Sequence, residues 1–102
     1  MRRAAKVDGN HGEIVKALRR VGATVKSLAM VGDGCPDLLV GFRGVLVLLE
    51  VKDGSLPPSA RKLTKAEAEF VETWAQTYVV TSAAEAVRVV VEAARPREAV
   101  KG

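Results

Sequence analysis

Residues 37–52, DLLVGFRGVLVLLEVK, constrain the fold of this chain more than any other stretch of its sequence. Two apolar runs flank the dipeptide Arg43-Gly44, and a short glycine-containing link between two such runs is typical of a β-hairpin. The pattern predicts neighbouring strands at 37–42 and 45–52. The apolar residues of both strands then need a covered sheet, because an isolated hairpin is at best marginally stable in water.

Charged residues stand inside this apolar stretch. If Arg43-Gly44 is a two-residue loop, counting back along the ladder places Asp37 directly opposite Glu50, with Cβ atoms about 4.5–5.5 Å apart. Two carboxylates at that separation repel each other and lose hydration within a sheet, so a cation must compensate them. Mg²⁺ is a natural candidate because it takes oxygen ligands and commonly uses one or two carboxylates. A bulge at the turn would shift the register by one residue and weaken this pairing.

Lys52 lies two residues beyond Glu50, so the pleat points both side chains to the same side of the strand. An ammonium beside a metal-bound carboxylate pair can orient an attacking water or stabilise charge that develops on a phosphate. Each residue also has a simpler explanation. Asp37 could end the loop that contains Pro36, and Glu50 with Lys52 could form an ordinary ion pair at a strand end. The three charges together favour the metal site.

The remaining pattern predicts an α/β protein. In chain order it predicts a helix between Asn10 and Gly22, a strand in 24–30, the hairpin, a helix after Thr64, a strand at 77–80 and a helix from Ser82 to about Ala94. The segment 53–62, DGSLPPSARK, is predicted to lack regular structure because of its paired prolines. The order α-β-β-β-α-β-α indicates a mixed sheet flanked by helices, with the strands at 45–51 and 77–80 apolar on both faces.

The helix after Thr64 carries both a capping signal and an apolar stripe. Thr64 and Glu67 form a T-x-x-E capping box, the reciprocal pattern of a helix start. The stripe predicted to be buried consists of Ala66, Phe70, Val71 and Trp74. We assign Phe70 and Trp74 to the core on this spacing, rather than to a surface on which nucleic-acid bases stack.

Length and composition limit the remaining possibilities. A chain of 102 residues predicts a single domain over 1–102, with flexible ends at 1–8 and 95–102. No apolar run reaches the roughly 18 residues of a membrane span, and no hydrophobic segment follows the basic start, so we expect a cytoplasmic protein without a secretory signal. One cysteine and one histidine exclude an internal disulfide and a zinc site built from Cys and His.

The net charge of +4 is compatible with a polyanionic partner without identifying one. Two groups of basic residues are candidates for contacts to phosphates: Arg61, Lys62 and Lys65 after the proline-rich segment, and Lys16, Arg19 and Arg20 on the first helix. Each group could also be an ordinary solvated surface. The first group follows a loop that starts directly after Lys52, which favours a contact with phosphate groups there.

The sequence also resembles a known family. Pro-Asp at 36–37 and Glu-Val-Lys at 50–52, placed across a hairpin, resemble the PD-(D/E)xK nuclease signature. The wider text GCPDLLVGFRG…LLEVKDG…PPSARKLTKAEAEF is similar to the VRR-NUC branch, the virus-type replication-repair nucleases. The resemblance runs from about Asp8 to the last helix. It implies the restriction-endonuclease-like core of that superfamily, which has the same order of elements.

The resemblance implies a phosphodiesterase that acts on DNA with Mg²⁺ or Mn²⁺. On that pattern Asp37, Glu50 and the carbonyl of Val51 are metal ligands, and Lys52 orients water or stabilises charge. An additional acid from the first helix matches Glu13, although capping and the helix dipole already explain a glutamate there.

The resemblance also suggests an assembly and a substrate. Stand-alone viral members of the branch are homodimers that cut four-way junctions in DNA recombination and repair, which would suit a phage-encoded protein in the host cytoplasm. Val87, Val90 and Val91 of the last helix could form the dimer surface or complete the core of one chain. Two alternatives remain open at this stage: a non-catalytic DNA-binding module, and a structural subunit of a phage or repair assembly.

Overall fold

The computed structural model describes residues 9–96, which form an α/β domain with the predicted order of elements. The predicted flexible ends lie outside the described residues, apart from positions 95 and 96. In chain order the elements are α1 (His11–Arg20), β1 (Thr24–Ser27), β2 (Leu38–Phe42), β3 (Val45–Val51), α2 (Lys65–Thr73), β4 (Thr77–Val80) and α3 (Ala83–Ala93).

The four strands form one mixed sheet in the order β1-β2-β3-β4. The first three strands are antiparallel, and β4 runs parallel to β3, with α2 in the connection between them. Phe42 pairs with Val45 across the hairpin, as the sequence predicted. Arg43 and Gly44 both have positive φ angles, 52° and 81°, the backbone of a tight two-residue hairpin turn.

The main hydrophobic core lies on one face of the sheet, between the strands and the pair α1 and α3. Successive residues of β3 point to opposite faces, so Val47, Leu49 and Val51 enter this core and are almost completely buried. The helices contribute four buried residues to the same cluster: Ile14, Leu18, Ala86 and Val90. Of the last-helix stripe, Val90 therefore belongs to the core of the single chain, whereas Val91 is exposed.

The opposite face of the sheet is only partly covered. Leu48 and Glu50 are buried there, but Leu46 is 56% exposed and Val79 is 36% exposed. The sequence predicted strands apolar on both faces, and apart from Glu50 and Thr77 the residues of β3 and β4 are apolar. The expectation that helices cover both faces holds only near the carboxyl end of β3, because α2 is short and none of its residues belongs to the main core.

The predicted buried stripe of α2 is wrong. Ala66 is exposed, Trp74 is 55% exposed, and Phe70 and Val71 are half-buried. The rings of Phe70 and Trp74 instead stack on each other, with centroids 5.0 Å apart and planes 7° from parallel. The physical reason is that the first turn of α2 is anchored to charged residues at the end of β3, as described below, which leaves its later turns at the rim of the sheet.

The segment between β3 and α2 contains one turn of 3₁₀ helix at Pro58–Arg61, so the prediction of no regular structure was wrong for these residues. Proline is well suited to the first position of a helical turn because its missing N–H has no partner there anyway. No helix within residues 9–96 combines the length and apolar character needed to cross a membrane.

Candidate functional site

Asp37 is held by hydrogen bonds at the entrance to β2. Its backbone carbonyl accepts a hydrogen bond from the Leu28 N–H at 2.7 Å, and its Oδ2 accepts one from the Val51 N–H at 2.7 Å. Since Leu38 pairs with Leu49, the next position of the ladder sets Asp37 opposite Glu50. The structure therefore brings the two carboxylates to the same end of the hairpin, as the sequence count predicted.

Glu50 is the most buried charged residue among those the structure describes, with 4% of its surface exposed. Burial, together with the negative charges of Asp37 and Glu67, raises the pKa of its carboxyl group to about 8, against the opposing effect of Lys52. A carboxyl group in this position holds its proton near neutral pH unless a cation compensates its charge. A strongly perturbed acid beside a second acid is characteristic of functional sites.

Lys52 lies at the end of β3, on the same face as Glu50. Its Nζ is 3.0 Å from Oε1 of Glu67 and 3.6 Å from Oε2 of Glu50, and only 15% of its side chain is exposed. Its backbone is fixed as well, because its N–H donates to the Val80 carbonyl at 2.9 Å and its carbonyl accepts from Nδ2 of Asn10 at 3.2 Å. The ammonium is thus set between two carboxylates on a rigid part of the sheet.

Glu67 is a site residue that the sequence analysis missed, since it was assigned only to the capping box. The capping box is present: Oγ1 of Thr64 accepts from the Glu67 N–H, and Oε1 of Glu67 accepts from the Thr64 N–H at 2.9 Å. Partial burial raises the pKa of the Glu67 carboxyl, but hydrogen bonds from Thr64 and Lys52 outweigh this effect and lower it overall. One feature of the sequence could have indicated this role: Glu67 lies in the first helical turn after the loop that follows Lys52.

The loop before β2 packs directly against the first turn of α2. Gly34 has φ +77°, and a Cβ atom on this residue would lie 2.6 Å from the carbonyl carbon of Ala66, so only glycine fits. Cys35 follows it and is half-buried; burial raises the pKa of its thiol, and the charges of Glu50 and Asp37 add to this effect. The loop that leads to Asp37 and the helix that carries Glu67 therefore form one packed unit.

Asn10 occupies the predicted N-cap position of α1, but its side chain makes no capping hydrogen bond. It donates instead to the carbonyls of Lys52 and Thr81, at 3.2 and 2.8 Å, which ties the start of α1 to the ends of β3 and β4. Glu13 lies in the first turn of the same helix with an exposed side chain. Its assignment as a metal ligand remains a prediction.

The two basic groups occupy different parts of the molecule. Lys62 and Lys65 are exposed at the start of α2, and Nε of Arg61 donates to the Leu56 carbonyl at 2.8 Å, which fixes the loop beside the site. The second group, Lys16, Arg19 and Arg20, lies on α1, which packs on the face of the sheet opposite Glu50. Contact of either group with DNA remains a prediction, and the position of the first group favours it.

The structure gathers the carboxylates of Asp37 and Glu50 and the ammonium of Lys52 at the end of the hairpin, with the Glu67 carboxylate of α2 beside the ammonium. Within residues 9–96, no three Asp, Glu, His or Cys side chains come together as a group that could hold a metal ion. Mg²⁺ does not need a larger group of protein ligands, because it keeps several waters and is usually bound through one or two carboxylates together with phosphate oxygens of a substrate. The donor set of Asp37 and Glu50 therefore fits an open magnesium or manganese site.

Comparison of the chain with protein-family models, with curated proteins and with solved structures gave no match.

Proposed function

We propose that this protein is a metal-dependent nuclease that hydrolyses phosphodiester bonds in DNA. The observation that carries the proposal is Glu50, a carboxyl group almost completely buried beside Asp37 with Lys52 on the same face. A purely structural site gains little from two neighbouring acids, because an apolar pair at these positions would avoid their repulsion and desolvation. The resemblance of the hairpin motif to the PD-(D/E)xK signature supports the same function.

Asp37 and Glu50 would hold the Mg²⁺ or Mn²⁺ ion, with the carbonyl of Val51 as a further ligand by the family pattern. The bound ion would neutralise charge on the phosphate and lower the pKa of a coordinated water. Asp37 is already oriented for this role, because the Val51 N–H donates to one of its carboxylate oxygens at 2.7 Å and fixes the side chain at the end of the hairpin. Glu50 would lose its proton when a cation arrives, which couples metal affinity to pH.

Lys52 would act on the substrate rather than on the metal. Its ammonium can donate to an attacking water or to a non-bridging phosphate oxygen, where it stabilises the charge that develops in the transition state. Its fixed backbone and its ion pairs hold it on the Glu50 face of the sheet, so little reorganisation is required during the reaction. This division of roles uses all three charged residues of the hairpin.

The substrate that we propose is branched DNA, cut by a homodimer. The basic residues Arg61, Lys62 and Lys65 lie at the end of the loop that follows Lys52 and at the start of α2, where they would contact backbone phosphates with little sequence preference. Symmetric cleavage of a four-way junction requires two active sites, which a two-fold dimer of a small domain provides. The resemblance to the VRR-NUC branch supports this choice of substrate. We propose that the α/β core of this domain is a restriction-endonuclease-like core.

The test is cleavage of four-way junction, flap, nicked and linear DNA in Mg²⁺ or Mn²⁺. We expect junction cleavage by the native protein and a loss of at least about 100-fold in Asp37→Ala, Glu50→Gln and Lys52→Ala. Glu69→Gln is the matched control, because Glu69 is an exposed glutamate of α2 away from the three charges. Cleavage by the three variants at the native rate would show that the assigned site is wrong.

Calorimetric titration with Mn²⁺ separates the enzyme from the two alternative functions. A nuclease binds Mn²⁺, and binding weakens in Asp37→Ala. A protein that binds DNA without binding Mn²⁺ is a non-catalytic module, and one that binds neither is a structural subunit.

A further inference from the structure

We propose that Glu67 is a positioning residue that holds the Lys52 ammonium in place, and that the capping box of α2 fixes Glu67 for this purpose. The inference rests on the proposed function, because it assigns a role within the same site. No other carboxylate of residues 9–96 lies as close to Nζ of Lys52 in an ion pair that the structure shows: 3.0 Å for Glu67 against 3.6 Å for Glu50.

The Glu67 carboxylate is fixed by two donors at once. Its Oε1 accepts from Nζ of Lys52 at 3.0 Å and from the backbone N–H of Thr64 at 2.9 Å. The backbone N–H of Glu67 in turn donates to Oγ1 of Thr64 at 3.1 Å. The side chains of Lys52 and Glu67 are only 15% and 19% exposed, so solvent competes weakly for this contact.

Through Glu67, the capping box of α2 is connected directly to Lys52. A capping box normally satisfies two backbone donors at a helix start and does nothing else. Here the same glutamate oxygen also receives the ammonium of a residue on β3, fifteen positions earlier in the chain. The position of α2 is set independently by the contact of Gly34 with Ala66, so the carboxylate is presented from a rigid element.

Glu67 is needed because Glu50, the other carboxylate paired with Lys52, is also a proposed metal ligand. In the proposed enzyme, Glu50 would hold the metal ion as well as pair with Lys52, and the two cations would compete for its carboxylate oxygens. Glu67 is not among the proposed metal ligands, so its contact at 3.0 Å would still hold the Lys52 ammonium if Glu50 bound a cation. Without Glu67 the flexible four-carbon side chain of Lys52 would sample other rotamers.

The experiment measures the environment of Lys52 without using cleavage. Acylation of individual lysines in the folded protein, followed by mass spectrometry, compares Lys52 with the exposed Lys65. We expect slow acylation of Lys52 in the native protein, a several-fold faster rate in Glu67→Ala, and a rate between the two in Glu67→Gln, whose amide oxygen still accepts from Lys52. Glu69→Gln should match the native protein.

The consequence for the reaction is measured with the same variants on cleavable DNA. Glu67→Ala should lower kcat about tenfold with KM nearly unchanged, as expected when a residue that orients a functional group is removed, and Glu67→Gln should recover much of the loss. Thr64→Ala weakens the cap but keeps the carboxylate, so its loss of kcat should be smaller.

The outcomes separate this inference from the proposed function. Acylation of Lys52 at the native rate in folded Glu67→Ala overturns the role of Glu67, whatever the cleavage result. An unchanged kcat in Glu67→Ala, while Lys52→Ala loses activity, overturns it as well. A native protein that leaves every DNA substrate intact overturns the proposed function instead.

Discussion

The two faces of β3 use the same strand in opposite ways. On one face Val47, Leu49 and Val51 enter a dry core beneath α1 and α3, whereas on the other Glu50 and Lys52 carry charges into a partly covered site. The first face provides most of the apolar burial that stabilises the domain. The second face includes an acid whose desolvation works against folding. Stability and the proposed chemistry are therefore separated by the pleat of a single strand.

The difference between the faces shows why a costly site can persist in a small domain. A buried carboxyl group is tolerated when its neighbours are fixed by independent contacts, here the Val51 N–H on Asp37 and the capping box on Glu67. The core face supplies the rigidity on which those contacts depend. The following predictions test this comparison, from the largest expected effect to the smallest.

Shortening a core side chain should have the largest effect. Leu49 is completely buried and points to the core face, so Leu49→Ala should lower the free energy of unfolding by about 2–5 kcal/mol. Leu46→Ala is the matched control on the same strand, and because Leu46 is 56% exposed it should cost less than about 1 kcal/mol. Urea denaturation measures both. Equal losses would show that the two faces are not energetically different.

The pH dependence of stability tests the charged face. The pKa of Glu50 is raised from an ordinary value of 4.5 to about 8, so the folded state binds a proton that the unfolded state releases. Without divalent cations, the free energy of unfolding should therefore fall as pH rises from about 4.5 to about 8, by roughly 2–4 kcal/mol. Glu50→Gln should flatten this profile and be the more stable protein at pH 8.

The effect of divalent cations on the pH dependence of stability provides a second test of Glu50. Addition of Mg²⁺ or Mn²⁺ should stabilise the native protein more at pH 8 than at pH 5, because binding requires the deprotonated carboxylate. A native profile that matches Glu50→Gln in the absence of metal would contradict the burial of an ionisable group at this position.

Substitution of one helix cap on each face should change the free energy of unfolding by a smaller amount. Thr64 caps α2 on the charged face, and Ser82 caps α3 on the core face, where its Oγ accepts from the Glu85 N–H at 3.1 Å. Thr64→Ala and Ser82→Ala should each lower the free energy of unfolding by about 1 kcal/mol. Only Thr64→Ala should also change the acylation rate of Lys52. A change in both variants would mean that Lys52 reports general loosening of the domain.

The fluorescence of Trp74, the only tryptophan, should show the smallest change. Because the side chain is 55% exposed on the open side of α2, its emission should already be red-shifted in the folded protein and move little on unfolding. Acrylamide should quench it efficiently in the native state. A blue-shifted, protected emission would show that α2 is covered, as a dimer through this face would cause.

The sequence predicted the hairpin and its register correctly because both follow from local rules. A two-residue turn at Arg43-Gly44 fixes which residues face each other, and counting from this turn sets Asp37 opposite Glu50. The capping box at Thr64 was equally predictable, because it depends on residues three positions apart. Such features are determined within a few residues, where spacing and geometry correspond directly.

Features that depend on where elements meet were not predictable in the same way. The stripe of α2 looked buried by its spacing, but Trp74 lies outside the core because the helix is anchored at its other end. Asn10 occupies its expected cap position yet bonds to two strand ends. The sequence pattern explains Glu67 only as a capping residue, because no local rule connects it to a lysine fifteen residues earlier.

By itself, then, the amino-acid sequence determined the order of elements, the tight turn and the alternation that sends Glu50 and Lys52 to one side of a strand. Those properties arise from backbone geometry and near-neighbour spacing. Only the tertiary structure decided that the α2 side remains partly open, that Glu50 is nearly sealed from water and that Glu67 meets Lys52. These depend on the packing of distant segments, which the sequence pattern of each segment does not encode.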